Sequence, residues 1–331
     1  MKQILSVSNL SVTVINEDRQ LRVVSDVSFG INVGETLTVI GESGCGKTTL
    51  ALALIGLGRP GSKIRIDGSI EFDGTTMANA DKSNARSLRG KSIAFVSQNP
   101  QSSFDPIMTI GRQMREVLKI HTGHSSSDYT ELIVNALQRV GIAAPKSRID
   151  DYPHQFSGGM LQRVMRATAL LVSPRLLIAD EPTSALDVTV QAQILDLLLS
   201  IQSEHNMSMM MITHDLGVAS RVSDHIAVMY AGRFVESGPS RSVLTSPRMP
   251  YTQGLIAATP RYKGLNPARV TPISGAPPVL GAQNLPACSF YDRCRHHQEV
   301  CKSEVPLLRL VQSEHRVACH LNVSSTLGGT E

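Results

Sequence analysis

The chain has 331 residues, of which 41% are hydrophobic, so it is long enough for one large α/β domain with an appendage or for two domains. Its formal net charge of +4 is too small to indicate a nucleic-acid partner, and aromatic residues at 4% offer little surface for stacking bases. No apolar run approaches the roughly 18 residues of a membrane span, and the start Met1-Lys2-Gln3 lacks a secretory segment. We therefore expect a cytoplasmic protein that reaches a membrane only through partners.

The first elements along the chain predict a β layer followed by a phosphate-binding loop. Residues 4–15 and 21–29 are rich in β-branched residues and flank a turn at Asn16-Glu17-Asp18, which predicts an antiparallel hairpin that covers an adenine base. An apolar run, 36–40, then leads into Gly41-Glu42-Ser43-Gly44-Cys45-Gly46-Lys47-Thr48-Thr49 and a helical stretch. A glycine loop between a strand and a helix directs backbone N–H groups at a polyphosphate. We predict that the chain binds a nucleoside triphosphate, with Lys47 on its β- and γ-phosphates and Thr48 on Mg²⁺.

An inserted helical subdomain is predicted next. Residues 92–96 predict a buried strand followed by Gln98, and apolar residues then recur with helical spacing over 109–140, with a polar break at 121–128. We interpret residues of about 101–165 as helices inserted into the α/β core. Another helix begins at Phe156-Ser157-Gly158-Gly159-Met160, and its free N–H groups predict a second anion site. An ordinary serine N-cap is the alternative interpretation of these residues.

Two further strands end in polar residues. The strand predicted at 175–179 is followed by Asp180 and Glu181, and the strand predicted at 209–213 is followed by His214. Ligands of open α/β sheets bind at the carboxyl ends of the strands. We therefore expect Asp180 to hold the Mg²⁺ shell, Glu181 to polarise the attacking water and His214 to contact the γ-phosphate. Residues 226–236 predict a closing hairpin.

The composition changes near residue 238. Ten of the 17 prolines and four of the five cysteines lie beyond it. We therefore predict an ATPase domain over residues 1–238 and a small separate module, the C-terminal extension, over residues 239–331.

In this order the motifs resemble the ATP-binding subunit of ABC transporters, over residues 1 to about 238. The resemblance implies an α/β fold of the P-loop ABC type, with a RecA-like core, an antiparallel β layer and an inserted helical subdomain. It also implies ATP and Mg²⁺ as cofactors and a role for each matching residue. The residues implied to bind ATP are Gly41, Ser43, Gly44, Cys45, Gly46, Lys47, Thr48, Thr49 and Asp180; the catalytic residues are Gln98, Glu181 and His214; the Mg²⁺ ligands are Thr48, Gln98 and Asp180; the signature that acts on ATP in a second subunit is Ser157, Gly158, Gly159 and Met160; and the D-loop residues are Ser184 and Asp187.

A narrower resemblance is to the oligopeptide/dipeptide/nickel importer ATPases, carried by residues 156–160, 184–195 and 250–255. It implies an ATPase that energises a peptide importer, lies at the cytoplasmic face of the membrane, and works with a sister ATPase subunit, two permease subunits and an extracytoplasmic substrate-binding protein. An importer of nickel, metal chelates or opines is the alternative. Two departures are the Met160 that replaces the usual glutamine of the signature and the absence of an aromatic residue at Val14-Ile15 to stack the adenine.

A soluble ABC-type ATPase that acts on DNA or ribosomes is the more remote alternative. DNA-repair members carry long insertions between the phosphate loop and the signature, whereas Lys47 and Ser157 are only 110 positions apart here and no heptad run separates them. Ribosome-acting members usually carry two cassettes, and this chain has one. We therefore expect no direct nucleic-acid partner.

The cysteines of the extension predict a metal site. Their gaps of five, six and seventeen residues fit neither a zinc knuckle nor a ferredoxin pattern, so the spacing indicates four thiolates without identifying the metal. The resemblance to peptide-importer ATPases implies a four-iron four-sulfur cluster, with zinc as the alternative. The four residues are Cys288, Cys294, Cys301 and Cys319.

Two shorter features carry expectations of their own. Cys45 lies at a helix N-terminus, where a thiol pKa is lowered, so we expect it to be reactive unless it only fills a variable loop position. The irregular segment 102–109, with Phe104 and Pro106, is expected to dock against permease helices; local packing of Phe104 is the alternative.

Overall fold

A computed structural model describes residues 2–16, 19–58, 61–77, 86–123, 125–184, 188–259, 262–263, 266–267, 271–280 and 286–321. Its first layer is an antiparallel sheet, formed because β-branched residues alternate with polar ones along two long strands. Val14 pairs with Leu21 and Asn16 with Arg19, which confirms the predicted hairpin. Its strands, in spatial order, are β2 (Arg19–Asn32), β1 (Gln3–Asn16), β4 (Lys63–Phe72) and β5 (Thr75–Thr76).

The second layer is an eight-stranded sheet with five parallel strands and three antiparallel strands at one side. Every residue of three of its central strands is buried, as expected of parallel strands that are covered on both faces. The spatial order is β13 (Arg309–Gln312), β14 (His315–Val317), β10 (Arg233–Pro239), β9 (His225–Tyr230), β3 (Thr36–Ile40), β8 (Ser208–Thr213), β7 (Leu176–Asp180) and β6 (Ile93–Val96).

Helices cover this sheet and form a subdomain with an apolar core of its own. That core contains Ile110, Met114, Leu118, Ile133 and Leu137, all without exposed surface. The helices that the sequence predicted here are present, the first ending at His121 and the next starting at Tyr129, while the bounds of the subdomain, about 101–165, stay a prediction. The helices up to the last core strand are α1 (Lys47–Leu54), α2 (Ile110–His121), α3 (Tyr129–Arg139), α4 (Pro145–Arg148), α5 (Gly158–Leu170), α6 (Val188–His205) and α7 (Leu216–Val222). No helix in the described ranges is long and apolar enough to span a bilayer.

The C-terminal extension shares the central sheet rather than lying apart from it. Glu236 of β10 pairs with Val317 of β14, so a hairpin from the end of the chain continues the sheet. The boundary predicted at residue 238 falls inside β10, and the division into two domains stays a prediction. The other elements of the extension are α8 (Ser240–Thr245), α9 (Pro250–Ala257), the two-residue strands β11 (Tyr262–Lys263) and β12 (Asn266–Pro267), and α10 (Val300–Ser303).

Candidate functional site

The phosphate loop leaves the carboxyl end of β3 and enters α1. Gly46, which precedes the helix, has φ 112°, and a Cβ there would lie 3.0 Å from the carbonyl oxygen of Val23. Glycine is therefore required at this position by both conformation and space. The Lys47 Nζ is almost buried and donates to the carbonyl oxygens of Gly41 at 2.7 Å and Glu42 at 2.8 Å. The loop thus holds its own lysine at its centre.

A cavity of about 730 Å³ opens over this loop. Ser43, Gly44, Gly46 and residues 47–49 line one side, and Gln98 and Glu181 lie across from them. Gly41, Cys45 and Asp180 are buried and do not line it. At the end near the β layer the lining is apolar, with Val14, Leu21, Val23 and Leu280.

Three predicted catalytic residues meet at the cavity, which Gln98 and Glu181 line. The Gln98 Nε2 donates to Glu181 Oε2 at 2.8 Å, and His214 Nδ1 lies 3.1 Å from Glu181 Oε1. The three residues follow β6, β7 and β8, which are adjacent in the sheet. One carboxylate is therefore held through both of its oxygens.

The backbone of Glu181 is strained. Its φ is 48°, a left-handed conformation that a residue with a Cβ rarely adopts. Its N–H donates to Ile212 O at 2.9 Å, and its carbonyl accepts from Ser184 Oγ at 3.0 Å. These bonds fix the turn that carries the carboxylate out of β7, and strain of this kind concentrates at functional sites.

The signature lies at the exposed start of α5. Ser157 caps the helix by accepting from the N–H of Met160 at 3.3 Å, and both Ser157 and Gly158 are exposed. Gly159 and Met160 are half-buried. None of these four residues lines the cavity over the phosphate loop of the same chain. The structure thus places the two predicted anion sites apart within one chain.

The chain is similar to known proteins over most of its length. Residues 24–184 match the model of the ABC transporter family, and residues 235–301 match the oligopeptide/dipeptide transporter C-terminal region. The chain is 41% identical to the dipeptide transport ATP-binding protein DppD of Bacillus subtilis, over 97% of this chain and 95% of that protein. It belongs to the ABC transporter family. It is also 44% identical to the oligopeptide transport ATP-binding protein OppD of Salmonella typhimurium, over 92% of this chain and 90% of that protein.

Among solved structures, the fold matches the dimeric structure of MJ0796, a bacterial ABC transporter cassette. The TM-score is 0.64 at 25% identity, and the match covers 72% of this chain and 99% of that one. The predicted P-loop ABC fold is thereby confirmed. The cysteine-containing module that we predicted beside it is not.

The predicted D-loop is only partly described. Ser184 is bound through its backbone carbonyl by Gln162 Nε2 at 3.1 Å, and the guanidinium of the buried Arg166 binds the carbonyl of Pro182. Both donors come from α5, so the helix that begins at the predicted signature holds the segment that follows Glu181. Asp187, the second predicted D-loop residue, lies outside the described residues.

The residues predicted to hold Mg²⁺ suit that ion chemically. Gln98 uses its amide nitrogen for Glu181, which leaves its carbonyl oxygen as an acceptor. Thr48, which carries a hydroxyl group, lines the cavity. Asp180 is buried at the end of β7 and directly precedes Glu181 in the sequence. Hard oxygen donors of this kind are what Mg²⁺ prefers.

The prediction of a lowered pKa at Cys45 is wrong. Cys45 is almost buried, and burial raises the pKa of its thiol more than the neighbouring Lys47, whose Nζ lies 3.7 Å away, lowers it. Loss of water disfavours the charged thiolate. The argument from the helix N-terminus took no account of this burial.

The four cysteines of the extension lie in one region but do not form a metal site in the described structure. Burial raises the pKa of Cys288 to about 11, and the charges of the other three cysteines contribute to the rise. The backbone N–H of Cys288 donates to the carbonyl oxygen of Cys301 at 2.9 Å. The described residues nevertheless contain no group of three or more His, Cys, Asp or Glu placed to hold a metal ion. The predicted iron–sulfur site at Cys288, Cys294, Cys301 and Cys319 is therefore not supported.

Sequence reasoning missed the contacts that the extension makes with the nucleotide site. Leu280 lines the cavity, and Tyr251 and Arg293 bind Glu42 of the phosphate loop. Tyr251 lies in the stretch 250–255 that carries the family resemblance, but that resemblance gave it no role at this site. No motif or periodicity marks Leu280 or Arg293, because they come from a proline-rich segment far along the chain. The one available signal was the lack of an aromatic residue at Val14-Ile15, which leaves an apolar surface to be completed from elsewhere.

Proposed function

We propose that this chain is the ATP-hydrolysing subunit of a membrane importer of peptides, with ATP bound between two such subunits. The observation that carries the proposal is that Glu181, which lines the phosphate-loop cavity, has its carboxylate held by Gln98 and His214. Phosphoryl transfer depends mainly on positioning and charge stabilisation; in this proposal Glu181 positions the water and Lys47 supplies positive charge.

Each residue has a role in this reaction. Lys47 leaves its carbonyl partners for the β- and γ-phosphates, and the N–H groups of the loop bind the remaining oxygens. Glu181 orients the attacking water, and Gln98 and His214 hold the carboxylate in one orientation. Thr48, Asp180 and Gln98 would hold Mg²⁺, which would supply positive charge to the phosphates.

A second subunit completes the site in this proposal. The exposed N-terminus of α5, with Ser157 and Gly158, lies outside the cavity of its own chain, and a helix N-terminus favours a phosphate. The solved MJ0796 cassette is dimeric. A sister ATPase subunit is the proposed partner.

The relatives' names support peptides as the cargo and an importer as the complex, since DppD and OppD are named as dipeptide and oligopeptide transport proteins. We propose two permease subunits and an extracytoplasmic binding protein as the other partners, and the cytoplasmic membrane face as the location. The permease contact is proposed for a mostly apolar cavity of about 340 Å³ between the core and the helical subdomain, lined by Phe104 and Ser103. Ile107, in the predicted docking segment 102–109, is 81% exposed.

We also propose a four-iron four-sulfur cluster, with zinc as the alternative, for the four cysteines of the extension. Thiolates are suitable ligands for either metal. The four thiols are close enough for the charge of one to shift the pKa of another. Their positions do not converge as metal ligands, so we derive no step from the group. Iron and acid-labile sulfide in protein purified without oxygen would support the cluster, and one zinc per chain would support the alternative.

The test of the ATPase proposal is Glu181→Gln in the complex reconstituted with permeases. We expect ATP binding to be retained and turnover to fall at least about 100-fold, because the carboxylate that orients water is lost. Peptide uptake should stop in the same variant. Turnover equal to that of the unmodified protein would contradict the assignment of Glu181.

A further inference from the structure

An arginine of the C-terminal extension reaches the phosphate loop. The two terminal nitrogens of Arg293 donate to the two carboxylate oxygens of Glu42, at 2.6 Å from Nη1 to Oε2 and 2.9 Å from Nη2 to Oε1. Paired bonds of this geometry are the strongest that an arginine makes with a carboxylate. The partners are 251 positions apart in the sequence.

The arginine is fixed on all sides. Its side chain is 5% exposed, and its Nε donates to Ser274 O at 3.0 Å. The guanidinium carbon lies 5.8 Å from the ring centre of Tyr230 and 5.9 Å from that of Phe290. A guanidinium enclosed in this way is ordered before any ligand arrives, so it can impose a position on Glu42.

Glu42 in turn holds the lysine of the phosphate loop. Its N–H donates to Tyr251 Oη at 2.9 Å, and its carbonyl oxygen accepts from Lys47 Nζ at 2.8 Å. Both the side chain and the backbone of Glu42 are therefore tied to the extension, and Lys47 is bound to that same residue.

The charge of Glu42 needs compensation at this position. A carboxylate in a loop that binds a triphosphate repels the ligand, and the Glu42 side chain is only 25% exposed, so water screens its charge incompletely. Arg293 is the cation that pairs with it. Without Arg293 the loop would carry an uncompensated negative charge and a free side chain beside its lysine.

We propose that Arg293 is a positioning residue of the nucleotide site, which neutralises Glu42 and thereby sets the affinity of the phosphate loop for polyphosphates. The inference rests on the proposed binding of ATP. It assigns the extension a part in nucleotide binding, in addition to its part in the sheet.

A purely structural attachment of the extension would also place an ion pair here, and the two possibilities differ in their response to ligand charge. Dissociation constants for AMP, ADP and ATP are measured with the full chain at low and high salt, for Arg293→Gln, Glu42→Gln, the double variant and Arg293→Lys. The control is Lys302→Gln, which removes an exposed ion pair with Glu299 in the same extension.

For Arg293→Gln we expect ATP to bind about tenfold more weakly, which corresponds to about 1.4 kcal/mol, with a smaller loss for ADP and the smallest for AMP. The loss should shrink at high salt. Adding Glu42→Gln should restore ATP affinity to within about threefold, because the repelling charge is gone. Arg293→Lys should lie between, since a lysine keeps the charge but not the paired bonds, and the control should not change.

Equal losses for AMP, ADP and ATP, or no recovery in the double variant, would overturn the inference in favour of simple attachment. If Arg293→Gln does not fold, Glu42→Gln alone decides: we expect it to bind ATP at least as tightly as the unmodified chain, and weaker binding would overturn the inference. An unmodified chain that binds no ATP would overturn the proposed function instead.

Discussion

The hydroxyl of Tyr251 lies 2.9 Å from the backbone nitrogen of Glu42 and accepts its hydrogen. Tyr251 has no exposed surface, so water cannot replace this acceptor. Burial raises the pKa of Tyr251, which keeps the phenol neutral through the neutral pH range.

We expect Tyr251→Phe to lower the free energy of unfolding by about 1–3 kcal/mol, because a backbone N–H in the phosphate loop would be left without a partner. Urea unfolding measures the change, and Tyr291→Phe in the same extension is the control. The effect should be the same from about pH 6 to pH 9, since the raised pKa leaves no titration of Tyr251 in that range. An unchanged midpoint would show that the bond contributes nothing.

Gln98 and His214 should act as one unit, since both bind the carboxylate of Glu181. We expect Gln98→Ala and His214→Ala each to lower kcat by about 100-fold, and the double variant to be little worse than either alone. Steady-state ATPase assays measure the three rates. Losses that multiply would mean that the two residues act independently, on the γ-phosphate or on Mg²⁺, rather than through Glu181.

Leu280 should bind the base and not the phosphates. It lines the cavity with Val14 and Leu21, at the end where the sequence offers no aromatic residue. We expect Leu280→Ser to weaken ATP and ADP binding about tenfold, from the loss of about 1.5 kcal/mol of apolar contact. Binding of inorganic triphosphate should stay the same.

The matched control for this change is Leu310→Ser, which alters a leucine of the same extension that is 63% exposed. Leu280→Phe should restore or improve ATP binding, since an aromatic ring stacks on adenine. Equal weakening of ATP and inorganic triphosphate in Leu280→Ser would indicate a disturbed phosphate loop instead.

Cys45 should alkylate slowly in the folded protein. Burial raises the pKa of its thiol, so little thiolate forms near neutral pH, and the thiolate is the reactive form. Iodoacetamide labelling, followed by mass spectrometry of the loop peptide, should be much slower at pH 7.5 than in urea and should accelerate as the pH rises. Labelling as fast as in urea would contradict the burial argument.

The polar residues that meet at this site could be predicted from the sequence, but the residues of the extension that contact the site could not. Gln98, Glu181 and His214 each follow a short apolar strand, and parallel strands present their carboxyl ends at one edge, so their meeting could be inferred. Arg293 and Leu280 could not be found in this way. They reach the site through long-range packing of a proline-rich segment that has neither helical nor strand periodicity.

The wrong pKa prediction for Cys45 and the unpredicted pairing of β14 with β10 also result from contacts between distant parts of the chain. A pKa at Cys45 depends on burial by the neighbouring elements, which a helix N-terminus does not reveal. The pairing of β14 with β10 depends on three residues, His315–Val317, too few to show alternation. Whether a three-residue strand forms, and how far water is excluded from a thiol, depends on residues that are distant in sequence and close in the fold.

The pairing of Glu236 with Val317 bears on how the protein is synthesised. During synthesis, β10 is complete long before the ribosome reaches β14, so its outer N–H and C=O groups remain unpaired until the hairpin arrives. An unpaired edge strand is a template for pairing with other chains. A chain cut after residue 308 would keep every residue of the ATP site and would still expose this edge, so we expect it to aggregate rather than to accumulate as a smaller ATPase.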